Sequence, residues 1–167
     1  IYMQAFDAPP PDSIAYAGDT AGCTNDTATL TLSFLPAGAI INWTPGAIVD
    51  DSTSSSPTIH LTQDTSLSVS IKDGAYGNDT TINVMVVVAD SVFWTGSTDS
   101  SWFTNTNWIP DIVPTGRCLV VIQGTGDAPT QPYIDAAGAK CKEIIMETDN
   151  SALLMFTGGG TLELKSD

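Results

Sequence analysis

Apolar and polar residues alternate along most of this chain, and the three-to-four spacing of an amphipathic helix is almost missing. In Ala28-Thr-Leu30-Thr-Leu32-Ser-Phe34 every second side chain is apolar, so Leu30, Leu32 and Phe34 share one face of a strand, and Leu67, Val69 and Ile71 repeat the pattern. Turn-forming residues punctuate these runs. They divide the first half into strands at 27–34, 40–43, 58–61, 66–72 and 80–88, preceded by an edge strand near 14–16. Pro9-Pro-Pro11 and Gly18-Asp-Thr make residues 1–22 an extended lead-in. The pattern predicts an all-β chain whose first half is a small sandwich with Trp43 in its centre.

Near Ala89-Asp90 the long apolar run 82–88 gives way to Trp94-Thr-Gly-Ser-Thr-Asp-Ser-Ser-Trp102-Phe-Thr-Asn-Thr-Asn107-Trp108, which holds three of the four tryptophans among small polar residues. Indoles this close together cover a hydrophobic face, and the Asn, Asp and Gly between them fix tight turns. Strands follow at 118–123, 133–135, 141–147, 152–156 and 161–165. The last three start close together, as in a meander or in the first rungs of a β-solenoid. The domains expected are therefore a lead-in at 1–22, a sandwich at 23–89 and a Trp-capped β-meander or β-solenoid-like module at 90–167, continuing beyond the piece in hand.

Composition narrows the class of partner. The chain has 167 residues, 42% of them hydrophobic, and a net charge of −14 from 19 acidic against 5 basic residues. Nucleic acid and anionic lipid both call for clustered Lys and Arg, so neither is an expected partner. No window reaches the roughly 20 apolar residues of a membrane helix. The chain begins without Met or a signal peptide, and a processed or excised segment is the simplest expectation.

Candidate chemistry is sparse. His60 lies within a predicted strand with no nearby Cys or carboxylate, and no G-x-S-x-G occurs, so no Ser-His triad is indicated. Glutamate is confined to Glu143, Glu147 and Glu163, which singles out no glycosidase pair. Gly158-Gly-Gly160 precedes a strand and reads as a turn rather than a phosphate cradle. Asp99, Asn105, Asn107 and Asp111 offer oxygens suited to Ca²⁺, yet their spacing matches no EF-hand or RTX loop, so no cofactor and no metal are expected, with Ca²⁺ a minor alternative. Trp94, Trp102, Asn107 and Trp108 read first as a structural cap and second as a contact for a glycan.

The same residues carry a resemblance. Trp94-Thr-Gly96, Trp102 through Asn107-Trp108, Val113-Pro114, Val120-Val-Ile122, Pro132-Tyr-Ile134 and Leu153-Leu154 make residues 91–167 similar to a module of very large secreted proteins of Bacteroidetes. Cys23, Asn42-Trp43-Thr44-Pro45 and Ser68-Val-Ser-Ile71 make residues 23–88 resemble the Ig-like or PKD-like repeats of those proteins, a less specific likeness. In such repeats the opening cysteine has a partner in the Gly-rich turn near the end. Here that turn, Asp73 to Asp79, holds none, which leaves Cys23 unpaired within its own domain.

The resemblance implies export through the type IX secretion system and a place at the cell surface as part of an adhesin, including those of gliding motility. Its neighbours would be further modules of the same polypeptide, with surface glycans and the secretion or motility machinery as other partners. It also implies O-glycosylation at Asp followed by Ser or Thr and a small aliphatic residue or Thr, marking Ser13, Thr20, Thr27, Ser52, Thr80 and Ser91. Each of those sites reads equally well as an Asx-type turn entry. In an exported chain Cys118 and Cys141, which open two predicted strands, are expected to form a disulfide that contributes on the order of 3 kcal/mol. The expected function is non-enzymatic: a stalk or filament segment, with a carbohydrate-binding accessory module of a polysaccharide-degrading enzyme as the alternative.

Overall fold

The structure, a computed structural model, describes residues 14–73, 79–124, 127–147 and 151–165. Within them the chain is all-β apart from two single-turn 3₁₀ segments, Gly46–Ile48 and Asn105–Asn107. Its first eight strands are β1 (Ala15–Ala17), β2 (Ala21–Cys23), β3 (Thr27–Thr29), β4 (Thr31–Ser33), β5 (Ile40–Thr44), β6 (Thr58–His60), β7 (Thr65–Lys72) and β8 (Asp79–Ala89).

Strands β2, β8, β7 and β5 form one sheet in that order, and the pairs β3–β6 and β1–β4 lie apart from it. Alternation on β7 and β8 does what the sequence pattern predicts. Leu67, Val69, Ile71, Val84 and Val86 turn inward against Leu30, Leu32, Ile41, Ile59 and Trp43. The Trp43 indole is 1% exposed and donates from Nε1 to Ser54 O at 2.9 Å. The single strand expected over 27–34 is broken at Leu30. Its first part pairs with β6 and its second with β1, while the Leu30 and Leu32 N–H groups donate to Pro57 and Ser55 carbonyls. At Phe34 the backbone enters the left-handed region (φ 60°) and turns the ring outward, 63% exposed, so the expectation that it faces the core is corrected.

The second half comprises β9 (Ser91–Trp94), β10 (Trp108–Ile109), β11 (Leu119–Ile122), β12 (Tyr133–Ile134), β13 (Ala139–Cys141), β14 (Glu143–Met146), β15 (Met155–Phe156) and β16 (Leu162–Leu164). Here β10 pairs antiparallel with β9, but every other described ladder is parallel: β9 with β11, β11 with β14, β12 with β15 and β13 with β16. A meander would pair neighbouring strands antiparallel. The three parallel ladders instead make β11-β12-β13 one three-sided rung and β14-β15-β16 the next, with Leu119 over Glu143, Tyr133 over Met155 and Ala139 over Leu162. Each rung uses roughly 23 residues, within the period of solenoid repeats. The run expected as one strand over 141–147 divides at Lys142, where the chain turns a corner from one side of the solenoid to the next.

Matching positions of successive rungs stack into columns. Val92 lies beside Val120 and Val120 beside Ile144; Trp94 lies beside Ile122 and Ile122 beside Met146. Burial falls along each column. Trp94 and Ile122 are fully buried whereas Met146 is 37% exposed, and on the adjoining side Ile134 is buried whereas Phe156 is 51% exposed. The two hydrophobic cores abut near Asp90: the sandwich core runs from Ala28 to Val86, and the solenoid core from Val92 to Cys141. Cys23 is the exception. It ends β2, which pairs in parallel with residues 87–89 of β8, yet its side chain packs in the solenoid core.

That placement corrects the expected bridge. The disulfide joins Cys23 to Cys118, across 95 residues of sequence, and Cys141 is a buried free thiol. The spacing of Cys118 and Cys141 suggested a local loop, but what matters is which side chains converge on the inner corner of the solenoid. Only the lateral return of β2 alongside β8 brings Cys23 there. Loop closure over this longer separation removes about 4.7 kcal/mol of unfolded-chain entropy, against about 3 kcal/mol for the shorter loop.

Candidate functional site

The tryptophan cassette is built around a single buried amide. Asn107, 0% exposed, accepts at Oδ1 from the backbone N–H groups of Thr98 and Asp99, both at 3.0 Å. Its Nδ2 donates to Asp99 Oδ1 at 2.6 Å and to Ser101 O at 2.9 Å. Asp99 extends the network, with Oδ1 accepting the Ser101 N–H at 2.7 Å and Oδ2 the Thr104 hydroxyl at 3.1 Å. These bonds, led by the one from the Ser101 backbone, hold the Asp99 carboxyl below its ordinary value of 3.8. The loop from Thr95 to Thr104 is thereby fixed as a set of Asx-type turns.

On this frame the three indoles are fully buried. Trp108 lies between the other two, edge-on to each, with ring centroids 4.9 Å from both Trp94 and Trp102. Trp94 donates from Nε1 to Thr130 O at 2.7 Å and Trp108 to Trp102 O at 2.9 Å. Trp102 Nε1 is buried without a hydrogen-bond partner among the described residues, so packing holds that ring. Because Trp94 stacks beside Ile122 and Ser101 bridges Tyr133, the indoles cover the start of the solenoid columns. Gly96 makes the close approach possible. Its φ is +58°, and a Cβ there would run into Thr130 Oγ1 and lie 2.5 Å from Thr130 O.

Burial bears on the two readings of the cassette. With Trp94, Trp102, Asn107 and Trp108 all at 0% exposure, no ring face or amide is presented to a glycan. The four oxygen-bearing residues considered for Ca²⁺ are not brought to one point. Asp99 and Asn107 are bonded to each other, while Asn105 and Asp111 line a separate cleft.

That cleft, about 440 Å³, lies where the two cores abut and is lined by Asp19, Asp26, Leu61, Asn105, Asp111 and Thr115 among others. Asp26 is its best-anchored group, its Oδ2 accepting the Cys23 N–H at 3.1 Å and the Thr115 hydroxyl at 2.6 Å. The neighbouring sulfurs of Cys23 and Cys118 are bonded to one another and are not thiolate ligands. Around the junction the Thr24 hydroxyl donates to Asp90 Oδ1 at 2.5 Å, Thr24 N to Ala89 O at 3.0 Å and Leu119 N to Asp90 O at 3.3 Å. A second, shallower depression of about 350 Å³ runs along one solenoid side between Asp99, Ser101, Tyr133, Asp135 and Thr157.

The six Ser/Thr sites are scattered. Thr27 and Thr80 are exposed on strands, Thr20, Ser52 and Ser91 are half-buried, and Ser13 lies outside the described residues. Asp51 makes the turn-entry bonds, accepting from Thr53 N at 2.8 Å and Thr53 Oγ1 at 2.7 Å. Asp26 and Asp90 are likewise engaged, at the junction. His60 is exposed on β6 opposite Thr27.

The sequence reading missed the junction of β2, the disulfide and Asp26. The one available signal was Ala21-Gly22-Cys23, where only a small residue lets Leu61 approach: a Cβ on Gly22 would run into Leu61 Cδ1. Among the described residues no helix is long and apolar enough to cross a membrane. A search of protein families, curated proteins and solved structures finds no match for the chain.

Proposed function

We propose that this chain is a non-enzymatic structural segment, a stalk or filament piece of a secreted cell-surface adhesin that supports surface attachment or gliding. The observation that carries the reading is the junction. A disulfide and a set of short hydrogen bonds tie a sandwich to a solenoid, an arrangement that transmits orientation from one module to the next. The cassette supports it, because its aromatic rings are committed to covering a core. A disulfide is compatible with an extracellular location. The likeness of the W-x-G, N-W and V-P positions to modules of large Bacteroidetes surface proteins supplies the lineage, type IX export and the O-glycosylation.

In the producing cell, replacing residues 14–165 by a flexible linker of similar reach should leave export intact and weaken attachment. Unchanged attachment would rule out the stalk role. The alternative, a carbohydrate-binding module, draws on the polar depression beside Tyr133. Retardation of the chain in polysaccharide gels, abolished by Tyr133→Ala, would favour that reading instead.

A further inference from the structure

We infer that the Cys23–Cys118 disulfide diverts tension applied along the chain past the sandwich core of residues 28–86, which therefore stays folded while β1, β2 and the C-terminal strands yield. The inference rests on the stalk reading for its biological use, and on connectivity alone for its mechanics.

Every buried member of the sandwich core lies between Ala28 and Val86, inside the loop that the disulfide closes. Tension entering from the N-terminal side reaches β1 and β2 and stops at Cys23. From the other side it reaches β16, then β15 and β14, then the rung β11-β12-β13, and stops at Cys118. Between those two atoms the covalent path is the sulfur–sulfur bond, so once β1, β2 and β11 have parted from β4, β8 and β9, residues 24–117 carry no load. The strands in the path are suited to yield first. β1 is a three-residue strand exposed along its length, and β14, β15 and β16 are the least buried strands of the solenoid. By contrast β7 and β8, which pair over eight residues, lie within the protected loop.

Two features keep the bypass intact. Both bridged cysteines are 0% exposed, so a reductant reaches the sulfurs only after the flanking strands have come away. Cys141, the remaining thiol, is buried, and burial pushes its pKa up to about 11, which leaves little thiolate to attack the bridge from within.

Single-molecule extension of the 167-residue chain, held at its two ends, tests this directly. Without reductant the total extension should stop at about 26 nm, the reach of the residues outside the loop at roughly 3.6 Å each. Adding a water-soluble phosphine should produce, after that extension, a further step of about 34 nm as the 95-residue separation is released. The variant Cys118→Ser should extend to about 60 nm with no reductant. If that variant does not fold, the phosphine step on the unaltered chain still reads the bypass. Extension to about 60 nm by the unaltered chain without reductant would overturn the inference. So would a reductant step near 8 nm, the length a Cys118–Cys141 loop would release. Either result leaves the stalk reading to its own test, and polysaccharide binding would end the stalk reading without touching the load path.

Discussion

Replacing Asn107 by Ala should cost the protein about 3 kcal/mol, more than any exposed polar residue of the cassette. The side chain is 0% exposed and makes four hydrogen bonds, two accepted and two donated. Truncation strands the Thr98 and Asp99 N–H groups and the Ser101 carbonyl, and each unpartnered buried group costs about 1–3 kcal/mol. Taking the low end, because Thr98 and Asp99 lie near the surface and water can reach them, gives the figure of about 3 kcal/mol. Urea unfolding followed by tryptophan fluorescence measures it, since three of the four indoles lie in or directly flank the segment that Asn107 organises. Asn107→Asp separates bonding from packing. It keeps the acceptor, loses the donor and sets a second carboxylate against Asp99, so it should also be destabilised near neutral pH and recover partly under mild acid. A loss below about 1 kcal/mol for Asn107→Ala would refute the view that this amide organises the cap.

Further outcomes follow from the same geometry. Trp94→Phe should destabilise more than Trp102→Phe, because the first strands the Thr130 carbonyl and the second removes an N–H that already lacks a partner; equal losses in urea unfolding would count against the assigned bonds. Gly96→Ala should cost about 2 kcal/mol or more, from the left-handed backbone and the collision with Thr130, and an unchanged thermal midpoint would show that the loop relaxes freely. The Asp99 carboxyl titrates below 3.8 in the folded chain, so its stabilising contribution is present above that pH and is lost as pH falls through the lowered value. Asp99→Asn should therefore flatten the acid limb of a stability–pH curve below about 4, and an unaltered limb would refute the assignment. Thiol titration should find one reactive cysteine after denaturation without reductant and three after reduction; three in the unreduced chain would reject the bridge. Intrinsic emission should be blue-shifted and unmoved by polysaccharide, because no indole is more than 1% exposed.

The strands were readable because alternation is local. Leu67, Val69 and Ile71 on β7, and Val84 and Val86 on β8, face inward for the same reason that they alternate in sequence. Phe34 fails the same rule because one left-handed residue ends the strand, and a non-glycine residue there gives no warning in sequence. The cassette was legible as a buried cap for a related reason. Its indoles lie close together in the chain, and the Asn, Asp and Gly that turn it act over a few residues. The exposure of Thr27 and Thr80 was open to the pattern, but the use of Asp26 and Asp90 at the junction was not, since each bonds a group far away in sequence.

What the sequence determined by itself, then, is the all-β class, the positions of most strands, and Trp43 and the three cassette indoles as core. Tertiary structure alone decided whether neighbouring strands pair antiparallel as a meander or parallel as rungs, because both present the same alternation to a reader of the chain. It alone decided the disulfide. Cysteine pairing depends on which backbones come within bonding distance, here 5.3 Å between the Cα atoms of Cys23 and Cys118, and that proximity is made by β2 lying parallel to the end of β8. Local pattern fixes which face of a strand is buried; only the packed chain fixes which strands, and which sulfurs, meet.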